Sequence, residues 1–569
     1  MNRETFENEV ERIKAESRYL RGHIHIGLEE PVSGGIDAAD TKVIKFHGIY
    51  QQDHRDHRGE RRKAGLEPLY SFMLRVRIPG GVLSPRQWLQ LEDLARRYAD
   101  GSLRLTTRQA IQFHHIYKEN LRALVRGLDE VLLDSIAACG DVNRNVMCSP
   151  NPHESVLHAE AQRWAERLGR HLLPRSEAYR EVWLEGKDRG SEHDVEPLYG
   201  PTYLPRKFKT AVAVPPLNDV DVFAHDLGFI AIAENGRLAG FNVTVGGGLG
   251  MSHDDAETWP RLADVIGFVR PEQVLELAEA VISIQRDFGN RANRKRARLK
   301  YTIADRGLDW FVTELEWRSR GPLEPAREYH FEHNGDRYGW ARSDDSVWHL
   351  TLFVENGRLR DESLKGLHAV AEEHPELEFR ITPNQNLTLA GASADQKLAI
   401  DGLLAEHGLD RHQHTSALRR NAMACVAMPT CPLAMAEAER YLPELIDRIE
   451  QRLDRHGLRE RPINLRMTGC PNGCARPYLG EIGLVGKAPG RYNLHLGAAH
   501  DGARLNRLYR ENLDEAGILD TLEPLLARYA AEGGEDERFG DFLIRTGVIT
   551  PVREGKEARD HDTPAATGT

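Results

Sequence analysis

Arg-Leu-Thr-Thr-Arg-Gln at 104–109 returns as Arg-Ile-Thr-Pro-Asn-Gln at 380–385, an offset of 276 residues. The same offset lays Gly81-Val82-Leu83 on Gly357-Arg358-Leu359 and Arg144-Asn145 on Arg420-Asn421. One residue more lays AEAQR (159–163) on AEAER (436–440), and FNVTVG (241–246) resembles YNLHLG (492–497) further on. Each match is short, but their common order and near-constant spacing mark an internal duplication. The period is far too long for a solenoid. It implies two pseudo-symmetric halves that meet at an interface, a common place for a large ligand. Within each half, strand-like segments (FMLRVRIPGG, 72–81; WHLTLFVENGRL, 348–359) precede helical ones (PRQWLQLEDLARRYA, 85–99; SLKGLHAVAEEH, 363–374). That order predicts an α+β fold and not a succession of βαβ units.

Around this repeat the 569-residue chain has the composition of a globular protein, 40% hydrophobic and 29% charged. A formal charge of −11 argues against a general binder of nucleic acid or anionic membranes. No run of about 18 apolar residues offers a membrane span. The start, MNRETFENEVERIK, is charged and lacks the apolar stretch of a secretory signal, and a cytoplasmic protein is expected. Residues 1–68 read as an arm with little core of its own, 318–346 as a surface loop, and the polar stretch after Pro551 as a frayed tail.

Six cysteines are too few for a disulfide scaffold. Cys139 and Cys148 stand apart and are expected to pack as small apolar residues. Cys425, Cys431, Cys470 and Cys474 crowd together as Cys-x5-Cys, 38 intervening residues, and Cys-x3-Cys. Four thiolates can hold a structural zinc or a [4Fe–4S] cluster. The five-residue gap favours the cluster, which is wider than one ion. Both pairs lie in Gly- and Pro-bearing loops, CVAMPTCP and TGCPNGC, whose backbone N–H groups are free to bond sulfur.

Cations repeat along several segments. Read as one strand, 104–115 puts Arg104, Thr106, Arg108, Gln112 and His114 on one face. Arg75 and Arg77 share a face in FMLRVRIPGG, as do Lys207 and Lys209 in LPRKFKTAVAV. Arg144 lies in DVNRNVMC and Arg298 in NRKRARLK. If these groups converge they need anions, because two cations ~4 Å apart repel by roughly 4 kcal/mol at an effective dielectric near 20. Across the repeat, Arg75 faces Thr351, Arg108 faces Asn384 and Cys425 faces Ser149. One copy carries the cations and the other the thiolates. VGGGLG (245–250) does not fit a strand–GxGxxG–helix fingerprint, and a close backbone approach to a cofactor or cluster is the alternative.

With TGCPNGC and CVAMPTCPLAMAEAERY in place, the chain resembles the sirohaem–[4Fe–4S] sulfite and nitrite reductases. The likeness runs through YLRG, KFHGIYQQD, RLTTRQAIQFH, NRNVMCSPNP, TYLPRKFKT and VGKAPGRYNLHLG, and within the family is strongest to the haemoprotein subunits of assimilatory NADPH-dependent sulfite reductases. The resemblance implies that Cys425, Cys431, Cys470 and Cys474 ligate the cluster and that Cys474 also bridges it to the sirohaem iron. It implies that Arg75, Arg144, Lys207 and Lys209 surround the substrate anion. Arg104, Thr106, Arg108, Gln112, His114, Arg298 and Asn472 would hold the cofactor's carboxylates. Arg298 stands where relatives can carry lysine, a change that keeps charge and loses proton donation.

The implied domains are the arm (1–68), a ferredoxin-like half (69–146), a sirohaem-binding α/β domain (147–345), a second ferredoxin-like half (346–420), and an iron–sulfur and sirohaem-binding α/β domain with the tail (421–569). The implied reaction is six-electron reduction of sulfite to sulfide, with electrons from an NADPH-oxidising flavoprotein (alpha) subunit. Nitrite reduction to ammonia, a ferredoxin donor and a non-catalytic iron–sulfur or zinc protein are the competing readings.

Overall fold

The computed structural model describes residues 8–150, 155–187, 189–192, 194–253, 255–343 and 346–560. Its frame is four five-stranded sheets among the described residues, and these form two matching pairs.

The first pair is antiparallel throughout. One sheet runs Ile49–Asp53, Tyr70–Val76, Ile111–Ile116, Leu103–Leu105 and Arg358–Leu359. Its twin runs Gly339–Arg342, Trp348–Leu352, Leu387–Ala392, Glu378–Ile381 and Val82–Leu83. The last strand of each sheet comes from the other half: Arg358 pairs with Arg104, and Val82 pairs with Arg380. Each half thus closes its partner's sheet. The helix Pro85–Tyr98 starts cleanly because Ser84 accepts from the Gln87 N–H while the Gln87 side chain accepts from the Ser84 N–H, with Pro85 at the first helical position. Its Trp88 stacks on Phe379 of the other half, ring centroids 4.8 Å apart, which cements the exchange.

The second pair is mixed. Met147–Cys148, Thr210–Ala213 and Leu227–Glu234 run parallel, and Arg237–Val245 and Asp264–Val269 continue antiparallel. Ala422–Ala424, Leu465–Thr468, Ile482–Ala488, Arg491–Leu496 and Arg507–Leu513 repeat that order and those directions. The fold is α+β and internally duplicated.

Three expectations change. The supposed arm contributes Ile13, Leu20, Ile24, Val43, Ile44, Phe46 and Ile49 to the main core and supplies the edge strand Ile49–Asp53. Its apolar residues are spread thinly along the sequence, which hid their common burial. Gly339–Arg342 is a strand inside the expected loop 318–346. The tail is not frayed at Pro551: Gly555–Arg559 is a helical turn with Ala558 buried, and only 561–569 lie outside the described residues. No helix among the described residues is long and apolar enough to cross a membrane.

Candidate functional site: a cationic cradle beside four thiols

The segment 104–115 is a hairpin and not a single strand. The Thr106 hydroxyl accepts from the Arg108 and Ala110 N–H groups, the Thr106 N–H bonds the Ala110 carbonyl, and Gln109 takes φ +50°. A side chain competing for backbone donors turns the chain where alternation predicted continuity. Arg104 therefore pairs with Gln112 across the ladder, and the expected row of side chains divides.

Arg104 is buried and spent within the protein. It donates to Glu439 Oε2 (2.5 Å) and to the Ala424 carbonyl (2.8 Å). Arg358 holds the other Glu439 oxygen (2.7 Å) and also bonds His114 Nδ1 (3.1 Å). These two cations hold the Glu439 carboxyl down at about 2 despite burial, which acts the other way. Arg104 and His114 thus brace the exchanged strand Arg358–Leu359. Gln112 keeps a buried amide oxygen without a partner.

Arg108 points elsewhere. It donates to the Asn145 and Thr210 carbonyls (2.8 and 2.9 Å) while its Nε has no partner. It lines a cavity with Lys207, Lys209, His225, Arg298, Asn472, Cys474 and Arg476. A contiguous cavity of about 270 Å³ adds Arg206, Arg294 and Tyr301. Burial, then Arg206, Arg144 and Arg298, lowers the Lys207 ammonium to about 7, against the pull of Cys474. Burial, then Arg108, Lys207, Arg298 and Arg144, drives Lys209 well below the usual lysine range. Burial and Arg144 lower Arg108 to about 9, with Arg476 and Arg75 adding to the fall and Asp226 opposing it. Arg75, Arg108, Arg144, Lys207 and Lys209 have no ion-pair partner among the described residues. Arg77, which shares a face with Arg75, is instead paired with Asp134. Arg298 is neutralised by Asp226 (2.6 Å) and bonds the Gly247 carbonyl, so it frames the cavity.

The loop Gly246–Gly250 makes a close approach to neighbouring backbone of the protein itself. A Cβ on Gly247 would strike the Phe223 and His225 carbonyls, and one on Gly250 would lie 3.0 Å from the Asn472 carbonyl. The next residue, Met251, donates its N–H to the Pro471 carbonyl (2.9 Å), joining this loop to the one that bears Cys470 and Cys474. Buried Lys300, absent from the sequence reading, ties the same loop by donating to the Gly248 and Gly250 carbonyls (2.9 Å each). Thr107 donates to the Cys474 carbonyl from the other wall.

The four thiols influence one another. Burial raises Cys425 well above the usual thiol range and Cys431 to about 12, with Cys474 the next cause in both; Cys470 is raised in the same way. Ionising such a set requires a cation among them. Among the described residues, no three His, Cys, Asp or Glu side chains converge tightly enough for one metal ion. Four such thiols in two loops are a donor set that can hold a [4Fe–4S] cluster. The Gly469 N–H donates to Cys425 Sγ (3.3 Å) and the Asn472 amide to Cys470 Sγ (3.5 Å), contacts of the kind that tune cluster potential. The unmatched cations and the orphaned Arg108 Nε beside Cys474 fit a polycarboxylate cofactor equally well.

Sequence reading missed Arg206, Arg294, His225 and Arg476. Arg476, which follows the Cys470–Cys474 loop, carried a signal in its position. Cys139 is buried as expected, and its Sγ also accepts from Arg75 Nη1 at 2.8 Å, a contact the sequence did not show.

Comparisons with known proteins agree with this geometry. Residues 163–323 match the model of the nitrite and sulphite reductase 4Fe-4S domain, and 67–131 and 341–407 each match the nitrite/sulfite reductase ferredoxin-like half domain. The 4Fe-4S domain match falls on the copy without the four cysteines. The chain is 58% identical over 546 residues to the sulfite reductase [NADPH] hemoprotein beta-component of Myxococcus xanthus (95% of this chain, 97% of that one). It is 55% identical over 559 residues to the protein of that name from Bacillus subtilis (97% and 98%). Among solved structures, the NirA protein of Mycobacterium tuberculosis superposes with a TM-score of 0.76 at 27% identity, covering 97% of each chain. Duplicated sheets, a cationic cradle and a four-thiol loop pair thus belong to a chain that is a member of the nitrite and sulfite reductase family.

Proposed function

We propose that the protein is the haemoprotein component of an assimilatory sulfite reductase, reducing sulfite to sulfide with six electrons. The observation that carries this reading is a set of cations without ion-pair partners among the described residues: Arg108, Lys207 and Lys209 line one cavity with Asn472 and Cys474, and Arg75 and Arg144 lie near enough to depress Arg108. Cys425, Cys431, Cys470 and Cys474 would hold a [4Fe–4S] cluster, with Cys474 shared with sirohaem. Arg108, Asn472 and the framing Arg298 would meet the sirohaem carboxylates, with Thr106 and Gln112 behind them. Sirohaem and cluster supply the redox chemistry when bound.

The protein's own groups do the rest. Arg75 and Arg144 offer forked donors to the oxygens of sulfite. Lys207 and Lys209 add compact charge and are the proton donors, because burial among like charges makes each ammonium readier to release a proton. Sulfur goes from +4 to −2 and its three oxygens leave as water, so the site must deliver protons as well as electrons. VGGGLG is committed to the cradle wall and not to a nucleotide, so a partner would take hydride from NADPH and pass electrons on; the relatives' names, an NADPH enzyme's beta-component, favour such a partner, which we take to be a flavoprotein subunit.

Lys209→Ala tests the assignment. It should retain iron, sulfide and sirohaem and lose sulfite turnover; normal turnover would remove Lys209 from the mechanism. Comparing kcat/KM for sulfite and nitrite decides the substrate.

A further inference from the structure

We infer that Cys139 and Tyr50 are positioning residues that aim Arg75 and Arg144 at the substrate anion, an inference that rests on the proposed anion site. Cys139 is fully buried, and its Sγ accepts from Arg75 Nη1 at 2.8 Å. The adjacent Gly140 carbonyl accepts from Arg144 Nε and Nη2 at 3.2 and 3.1 Å. The Tyr50 hydroxyl lies beside both Cys139 and Arg144, close enough to interact electrostatically with each. Two consecutive residues therefore hold both guanidinium groups, and one phenol sits beside the two holds.

The bracket is rigid. The Ala137 N–H bonds the Phe46 carbonyl (2.8 Å), the Arg75 N–H bonds the Gly48 carbonyl (2.9 Å), and Ser135 Oγ bonds the His47 carbonyl (2.6 Å). Gly140 sits at φ +91°, where a Cβ would lie 2.9 Å from Phe46. Residues 135–140 are thus pinned along 46–48, and Tyr50 follows in the edge strand.

The choice of sulfur has a physical consequence. Arg77, one turn of the pleat away, is held by the carboxylate of Asp134 and its charge is compensated. Arg75 is held by a sulfur and a backbone strand. A sulfur acceptor fixes the orientation of a guanidinium while leaving its field for an incoming anion. Free arginines would pay rotamer entropy on binding; these have paid it on folding.

The test compares holoenzyme carrying Cys139→Ala, Cys139→Ser, Cys139→Asp and Tyr50→Phe. Sulfite and nitrite binding are read from the visible spectrum, turnover with reduced methyl viologen, and carbon monoxide affinity as an uncharged control. In Cys139→Ala the KM and dissociation constant for the anion should rise about tenfold, with kcat within about twofold and with cofactor content, melting temperature and carbon monoxide affinity unchanged. Cys139→Ser should recover most of the loss, and Tyr50→Phe should show a smaller one. Cys139→Asp, which restores an acceptor but compensates the charge, should be worse than alanine. Anion affinity unchanged in Cys139→Ala, an equal loss for carbon monoxide, or Cys139→Asp binding as well as wild type would each overturn the inference. A wild-type enzyme that reduced nitrite and not sulfite would sink the substrate assignment while still reporting on Cys139.

Discussion

The cradle has a twin. A second cavity of about 110 Å³, lined by Ser149, Asp219, Asp336, Thr351, Thr382 and Thr388, occupies the pseudo-symmetric position. Thr351 stands where the first copy has Arg75, Thr382 where it has Thr106, and Thr388 where it has Gln112. In the cradle, Arg108, Lys207 and Lys209 lack a carboxylate partner among the described residues. In the twin, polar groups satisfy one another: Asp336 accepts from Thr382 (2.7 Å), Asn384 (3.1 Å) and Asn386 (2.7 Å), Thr351 and Thr388 share a hydroxyl bond (3.0 Å), and Ser149 donates to Asp219 (3.0 Å). Arg476, which enters from the cradle side, is paired with Asp221 and bonds the Pro383 carbonyl. One backbone plan thus serves two electrostatic ends. A pocket left with unmet charge is primed for a ligand, and a pocket whose charges are met internally is part of the core.

Substitutions that copy one pocket into the other test the contrast. Cys425→Ser installs what the duplicate has at Ser149, and it should bring acid-labile sulfide and cluster iron to background with loss of all turnover. Arg75→Thr installs Thr351's residue; losing a charge-assisted contact of about 1.5–3 kcal/mol should weaken sulfite binding tenfold to hundredfold while the cofactors stay. A smaller effect is expected from pH. Lys207 is lowered to about 7, so its positive charge is present below that value and is lost as pH rises through it; cofactor carboxylates move the midpoint upward. Nitrite, which keeps its charge across this range, should bind more weakly on the alkaline side, and Lys207→Met should remove that limb. Thr351→Val should leave cofactor content and turnover unchanged and cost about 1 kcal/mol in a denaturant titration. A fall in sulfite turnover in that variant would show that the twin is not closed.

The parts of this design carried by spacing were legible. Cysteine spacing led to the thiol set and alternation marked Arg75, Lys207 and Lys209 as candidates, whereas Arg144 and the grouping of these four cations around an anion came from the family resemblance. Alternation failed at Thr106, where a hydroxyl turns the chain and sends Arg104 and His114 to brace Arg358. Exchanged strands of two residues, Val82–Leu83 and Arg358–Leu359, are too short to show a period. Arg206 and Arg294 were not singled out, because only tertiary packing brings them to the cradle. Cys139 looked inert because its partners come from a strand 64 residues earlier and from the edge strand before it.

The exchanged strands also set a timetable. Leu103–Leu105 has its outer neighbour only when Arg358–Leu359 has been made, and a ribosome needs on the order of tens of seconds to travel between them. Until then the nascent chain holds an unfinished sheet edge, and Cys425 to Cys474 have yet to be translated. Metal insertion must therefore wait until residue 474 has been made, and cutting the gene between its halves would give two fragments that each wait for the other.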